Sequence, residues 1–237
     1  SAGLGVCAQI VDGMVEAGMS REDAMSRFVV CTSIGAIGAT GGEYGDPNHK
    51  RGLSADRAPW INNAVPDGMP MADVVRHFKP SCLLGLAAQP AGLFTEEMCR
   101  EMAKHHERPI IMPMSNPTAK AECTPEQATA VIQPRYGRDE HESPRGSRRD
   151  LGAISAQAYH WTDGRAIVAT GSPFDPVEIN GRTLIPSQCN NMYVFPGIGL
   201  AASVAGVKEI TDQMLYVAAV ACVDAMLPEE IASGRTF

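Results

Sequence analysis

No stretch of this sequence is long and apolar enough to span a bilayer. The two longest weakly polar runs, Met192 to Val207 and Met214 to Val223, fall short of the ~20 residues a spanning helix needs, and Pro196, Gly197 and Gly199 break the first. Positive charge is also scarce. Twenty Lys and Arg against 27 Asp and Glu leave a net charge of −7 and a pI near 5.4, which supplies no electrostatic footprint for a nucleic-acid backbone or an anionic membrane. The seven cysteines, at 7, 31, 82, 99, 123, 189 and 222, form no C-x-x-C pair. An odd, scattered set predicts buried thiols in a reducing compartment, so the expected location is intracellular, cytoplasmic or organellar. The opening Ser1-Ala2-Gly3-Leu4-Gly5-Val6 has no basic stretch before an apolar run, so it is no secretory signal and reads as a cut end. What remains is ordinary for a folded protein: 237 residues, 44% hydrophobic and 20% charged, are enough to bury the core of one large domain.

Along the chain, helical and strand patterns alternate. Cys7, Ile10, Val11, Met14 and Val15 recur at helical spacing and stop at Gly18. Phe28 to Cys31 reads as a short strand, and the turn-rich 41 to 68 as a long loop. Met71 to Phe78 reads as a helix and Cys82 to Leu86 as a buried strand. Thr95 caps a helix that runs through His105, with Glu96 and Glu97 in its first turn. Pro109 to Met112 and Ala166 to Ala169 are further strands, Thr124-Pro125-Glu126-Gln127 is a capping box, and Thr211 caps an apolar helix from Asp212 to Met226. Short continuous apolar strands between helices are the pattern of a parallel sheet covered on both faces, so the fold class is α/β.

Residues 128 to 157 break this rhythm. They hold nine charged side chains, five of the chain's fifteen arginines and no lysine. Joining Gln127 to Ala158 would give TPEQAYHWTDGRAIV, a capped helix running into a turn and a strand. The segment therefore reads as an insertion, expected to be disordered. It is either a long solvated loop or sequence foreign to the mature protein, such as an untranslated intron. Four acidic residues dilute its arginines, which argues against an RNA-binding arm.

Ligands of an open parallel sheet sit beyond the carboxyl ends of its strands. There the sequence places Ala87-Ala88-Gln89-Pro90-Ala91-Gly92, Met114-Ser115-Asn116-Pro117-Thr118 and Thr170-Gly171-Ser172-Pro173-Phe174. Small residues let a ligand approach the backbone, and Ser, Asn and Thr offer directed hydrogen bonds. Ser1-Ala2-Gly3 before a helix reads either as the tail of G-x-G-x-x-G, whose last glycine permits close helix packing beside a pyrophosphate, or as a chain end that happens to hold a glycine. Asn116-Pro117 and Asn190-Asn191 are turn chemistry, or amides able to orient a small polar acid. His105-His106 lacks a third ligand and reads as surface, Cys189 as a buried thiol without a histidine near it in sequence, and Met192-Tyr193-Val194-Phe195 as core.

The run Ser115-Asn116-Pro117-Thr118-Ala119-Lys120-Ala121-Glu122-Cys123-Thr124 resembles the malic enzyme family. So do Trp161-Thr162-Asp163-Gly164-Arg165-Ala166, Thr170-Gly171-Ser172-Pro173-Phe174 and Gln188-Cys189-Asn190-Asn191-Met192-Tyr193-Val194-Phe195-Pro196-Gly197. The similarity extends over 1 to 237, apart from 128 to 157 and a divergent 41 to 66. It implies a Rossmann-like NAD(P)-binding domain whose first strand is missing. The parent enzyme would oxidise malate and decarboxylate the oxaloacetate to pyruvate, with Mg²⁺ or Mn²⁺ as Lewis acid. By position, the resemblance implies malate binding by Asn116 and Asn190, and cofactor binding by Ser1, Ala2, Gly3 and Asn116. It also implies a homo-oligomeric full-length enzyme.

The family's Tyr and Lys acid/base pair and its acidic metal ligands lie before the fingerprint. The resemblance therefore assigns this chain no catalytic or metal residue and implies a fragment, inactive alone. Where many members carry an acid that binds the adenosine ribose, Thr32-Ser33 stands. That leans from NAD towards NADP, with Lys50, Arg51 or Arg57 as candidate phosphate partners. Ser187 and Cys189 replace glycines common in the family. A catalytically inactive nucleotide-binding or regulatory module on the same scaffold is the alternative, since fold and motif do not guarantee turnover.

Overall fold

A computed structural model describes residues 2–39, 55–87, 92–115, 121–123, 157–232 and 235. The capping box at 124–127 and the expected insertion, up to residue 156, lie outside the described residues. The chain divides into two units, Ser1–Pro80 with Asn190–Met226, and Ser81–Cys189 with Leu227–Phe237.

The first unit opens with α1 (Ala2–Glu16), which ends before Gly18 at φ 97°, and α2 (Arg21–Ser26), capped by the Ser20 hydroxyl accepting from the Asp23 amide. The strand expected at Phe28 to Cys31 starts later, as β1 (Cys31–Thr32), because it pairs antiparallel with β2 (Gly35–Ala36) around a turn closed by Thr32. The Thr32 hydroxyl donates to the Gly35 carbonyl at 3.2 Å and accepts from the Ile34 amide at 3.3 Å. β3 (Gly38–Ala39) pairs in parallel with β4 (Asn62–Pro66), so the end of the expected long loop is in fact a strand. Asn62 fixes it: its buried amide donates to the Ser26 and Phe28 carbonyls at 3.1 and 2.7 Å. α3 (Met71–Phe78) places Val74 beside Ala36, Val65 and Met69 to form this unit's core.

The first unit resumes after Asn190 with α5 (Phe195–Ala205) and α6 (Asp212–Asp224), the latter capped by Thr211. Neither helix buries a residue, and Phe195, Leu200 and Val204 are 60, 68 and 81% exposed. Met192 and Tyr193 are also exposed. The run expected to be core is therefore surface here, because nothing in the described residues covers it.

In the second unit, β5 (Cys82–Gly85), β6 (Ile110–Pro113), β7 (Ile167–Thr170) and β10 (Ser187–Gln188) form a parallel sheet in the order β10-β7-β6-β5. α4 (Glu96–His105) lies in the β5 to β6 crossover, and residues 157–161 are helical in the next. This is the expected Rossmann-like α/β pattern. Leu83, Ile111 and Val168 are buried on the sheet, and α4 buries Met98, Cys99, Met102 and Ala103. Thr95 caps α4 as expected. At the other end Arg165 donates to the Ala103, His106 and Glu107 carbonyls at 3.0 to 3.3 Å, satisfying groups that a helix end leaves without partners. A hairpin of β8 (Val177–Ile179) and β9 (Arg182–Leu184) joins β7 to β10 through Asn180 and Gly181, both at positive φ. α7 (Pro228–Ala232) is the last helix among the described residues. Among the described residues no helix is long and apolar enough to cross a membrane.

Gly38 supplies a test of the first unit. A Cβ there would collide with the carbonyl oxygens of Val65 and Pro66, which are backbone and cannot turn aside. Gly38→Ala is expected to destabilise the protein by about 1–3 kcal/mol. Gly3→Ala, with nothing within 4 Å of the new methyl, should be neutral or slightly stabilising. Urea midpoints of the two variants check this.

Candidate functional site

The register of the parallel sheet aligns its carboxyl ends. Gly85 stands opposite Pro113, and Gln188 opposite Thr170. Gly85, Ser115 and Thr170 are small residues at this edge, the place where an open parallel sheet takes its ligands. Thr170 is buried, and its hydroxyl lies 2.8 Å from the Ser172 carbonyl and 3.4 Å from that of Ser187, so it bridges β7 and β10. The Cys189 amide donates to the Thr170 carbonyl at 2.7 Å and extends the pairing one residue past β10.

One feature of this edge was not anticipated. Glu122 is 1% exposed, and its carboxylate accepts from Ser115 twice, from the hydroxyl at Oε1 and from the backbone amide at Oε2, the latter at 3.3 Å. A Cβ on Gly85 would overlap the Glu122 carboxyl group, so the end of β5 leaves space for it. The Glu122 and Ala121 carbonyls accept from the Phe94 and Gly92 amides at 2.7 and 3.1 Å. The signal in sequence was an acid between Ala121 and Cys123. Its partners, seven residues back and on a neighbouring strand, were not.

Of the residues implied as sites by resemblance, Ser1 and Asn116 lie outside the described residues, as do Lys50 and Arg51. Ala2 and Gly3 form the first turn of α1, which carries no acid. Among the described residues, a Cβ on Gly3 would meet nothing within 4 Å. Asn190 caps a 3₁₀ turn over Asn191–Tyr193, its Oδ1 accepting from the Met192 amide at 3.0 Å, which leaves Nδ2 as the donor. Arg57 is exposed ahead of a 3₁₀ turn at Ala58–Trp60. Among the described residues no three of His, Cys, Asp and Glu gather as a metal site, so the implied cation finds no ligand set there.

The thiols bear on chemistry at this edge. Burial pushes Cys189 up to about 11, with Cys82 adding a smaller effect, and burial pushes Cys99 up to about 12. A thiol with a raised pKa stays protonated and unreactive at neutral pH. Cys189 should therefore alkylate with iodoacetamide at pH 8 at least about tenfold more slowly than in the urea-unfolded chain. Its rate should rise steadily towards pH 11, read by mass spectrometry of the labelled peptide. Fast labelling at pH 8 would make it a reactive cysteine.

Comparison with known proteins completes the picture. The profile described as "Malic enzyme, NAD binding domain" matches residues 1–136 and 148–237. An "NADP-dependent malic enzyme" of Dictyostelium discoideum is 38% identical over all of this chain and 37% of its own length. An "NAD-dependent malic enzyme" of Photorhabdus laumondii is 40% identical over 92% of the chain and 33% of its own. One of the same name from Acinetobacter baylyi is 38% identical over 94% and 34%. The chain thus spans about a third of the length of the curated relatives it matches. With a parallel α/β sheet and a profile match across both units, the chain belongs to the malic enzyme family and corresponds to its NAD-binding domain.

Proposed function

We propose that the full-length protein carrying this chain is a malic enzyme, oxidising malate with NAD(P) and decarboxylating the oxaloacetate to pyruvate in the presence of Mg²⁺ or Mn²⁺. The chain would supply the dinucleotide floor and part of the malate site of a homo-oligomeric enzyme. The observation that carries this reading is the family match over 1–136 and 148–237. The first turn of α1 carries no acid, which suits a helix N-terminus facing a pyrophosphate. Thr32 and Ser33, where an acid would repel a 2′-phosphate, support NADP over NAD, with Arg57 a candidate partner. The cation, when bound, polarises the substrate carbonyl and stabilises the enolate. Its ligands and the acid/base pair belong to parts of the enzyme beyond this chain.

Asn116 and Asn190 would orient malate. For Asn190 the cap uses the oxygen and leaves the NH₂ to donate to a substrate carboxylate, so the turn and ligand roles can be separated. Malate-dependent NAD(P)H formation by the full-length protein with Mn²⁺, abolished by chelator, is the primary test. A protein that binds NAD(P) and does not turn over would be the inactive module. In the active enzyme, Asn190→Asp keeps an oxygen for the Met192 amide, so its melting temperature should hold. It loses the donor and adds charge, so kcat/KM for malate should fall by about one to two powers of ten.

We also propose that 128 to 157 is dispensable. The profile match passes over 137–147, within it. Its last residue, Gln157, is helical and buried, and neither of its amide atoms has a hydrogen-bond partner among the described residues. Joining Gln127 to Ala158 leaves a glutamine in the same place before Ala158. The deletion variant should melt at the same temperature or higher. A clear drop would show that the segment packs.

A further inference from the structure

We propose that Asn180 is a site of spontaneous backbone modification: when the tip of the β8–β9 hairpin opens, its side-chain amide closes onto Gly181 and is hydrolysed to aspartate or isoaspartate. The sequence holds a single Asn-Gly pair, and it forms the two-residue loop between Ile179 and Arg182. Both residues are exposed, at φ 52° and 71°. A glycine nitrogen is the least hindered nucleophile the main chain offers, because no Cβ shields its approach. Its setting separates this pair from the turns in which glycine follows an acid. The Gly164 amide, after Asp163, donates to the Tyr159 carbonyl at 2.8 Å, and the Gly68 amide, after Asp67, to that of Ala36 at 2.9 Å. At the hairpin the ladder is made by the flanking pair Ile179 and Arg182, so the Gly181 amide stands in the loop, outside the ladder.

In the reaction the Gly181 nitrogen gives its proton to hydroxide or water and attacks Asn180 Cγ. The bond from Cγ to Nδ2 breaks and ammonia leaves, giving a cyclic succinimide. Water then opens the ring at either carbonyl: at Cγ it yields aspartate, and at the main-chain carbon it yields isoaspartate, whose chain runs through Cβ. Nothing is oxidised or reduced. The closed turn resists the first step, because a residue in the left-handed region sets Cβ and the following nitrogen on opposite sides of the Cα–C bond. Ring closure therefore waits for a local opening. The hairpin keeps that opening small, since β8 and β9 have three residues each. Besides their ladder they are held by the bond from Thr183 to Glu178 and by Leu184 and Ile179 over Gly164, where a Cβ would meet them at 3.2 and 3.5 Å. Aspartate suits the same turn as asparagine. Isoaspartate adds one backbone atom to a loop whose length fixes register, so Ile179 and Arg182 no longer face each other.

The test is peptide mapping by mass spectrometry of the full-length protein, held folded in mildly alkaline buffer, and its readout is independent of catalytic activity. Deamidation at Asn180 is expected to run at least about tenfold faster than at Asn62, Asn63, Asn190 or Asn191, and at least about tenfold slower than at Asn180 in the urea-unfolded chain. Thr183→Ala, which removes the exposed bond to Glu178, should quicken the reaction at Asn180 and leave the other asparagines unchanged. Leu184→Ala should quicken it further; should that variant not fold, Thr183→Ala decides alone. Amide hydrogen exchange over 177–184 should become faster as the protein ages. It should stay constant in Asn180→Gly aged in parallel, which keeps a turn-forming pair and has no side chain to close. A rate at Asn180 no higher than at the other asparagines, a rate equal to that of the unfolded chain, indifference to Thr183→Ala, or equal exchange in the two aged proteins would each overturn the proposal.

Discussion

The second unit depends on β6 being paired on both sides. β6 aligns Ile110 and Ile111 with Cys82 and Leu83 of β5, and with Ile167 and Val168 of β7. Parallel ladders leave the backbone no freedom to slide without turning every side chain to the wrong face, so Leu83, Ile111 and Val168 stay buried together. The same register brings the strand ends to one edge. Gly85, Ser115, Thr170 and Cys189 gather there because of hydrogen bonds made several residues away. Arg165 extends the constraint by tying the turn before β7 to the carbonyls at and just past the end of α4.

How much of this could be read from residues alone follows the range of the forces involved. α4 was legible to the residue because its signals are local: Thr95 caps it, with Glu96 and Glu97 in its first turn. β4 was not, since Asn62, Asn63 and Ala64 are poor strand formers and the strand exists through its pairing with β3 and the Asn62 amide. The β8–β9 hairpin did carry its mark, Asn180-Gly181, but three-residue strands beside prolines gave it little pattern to stand on. Around the candidate site, the small residues after each strand were visible in sequence, whereas Glu122 was not. Its meaning depends on a missing Cβ at Gly85 and on Ser115 across an intervening segment, which are tertiary facts.

Two buried polar side chains show opposite solutions to one problem. Glu122 brings a carboxyl group into the interior and finds two donors aimed at it. Gln157 brings an amide into the interior and finds no partner among the described residues. A buried polar group costs least where donors meet it, as they do at Glu122.

The exposed face of α5 and α6 has a consequence for the helices themselves. Phe195, Leu200, Val204 and Val217 stand on adjoining helices that bury nothing among the described residues. Burial therefore adds little to either helix, whose shape rests on its own backbone hydrogen bonds and on its ends, Gly206 after α5 and Thr211 before α6.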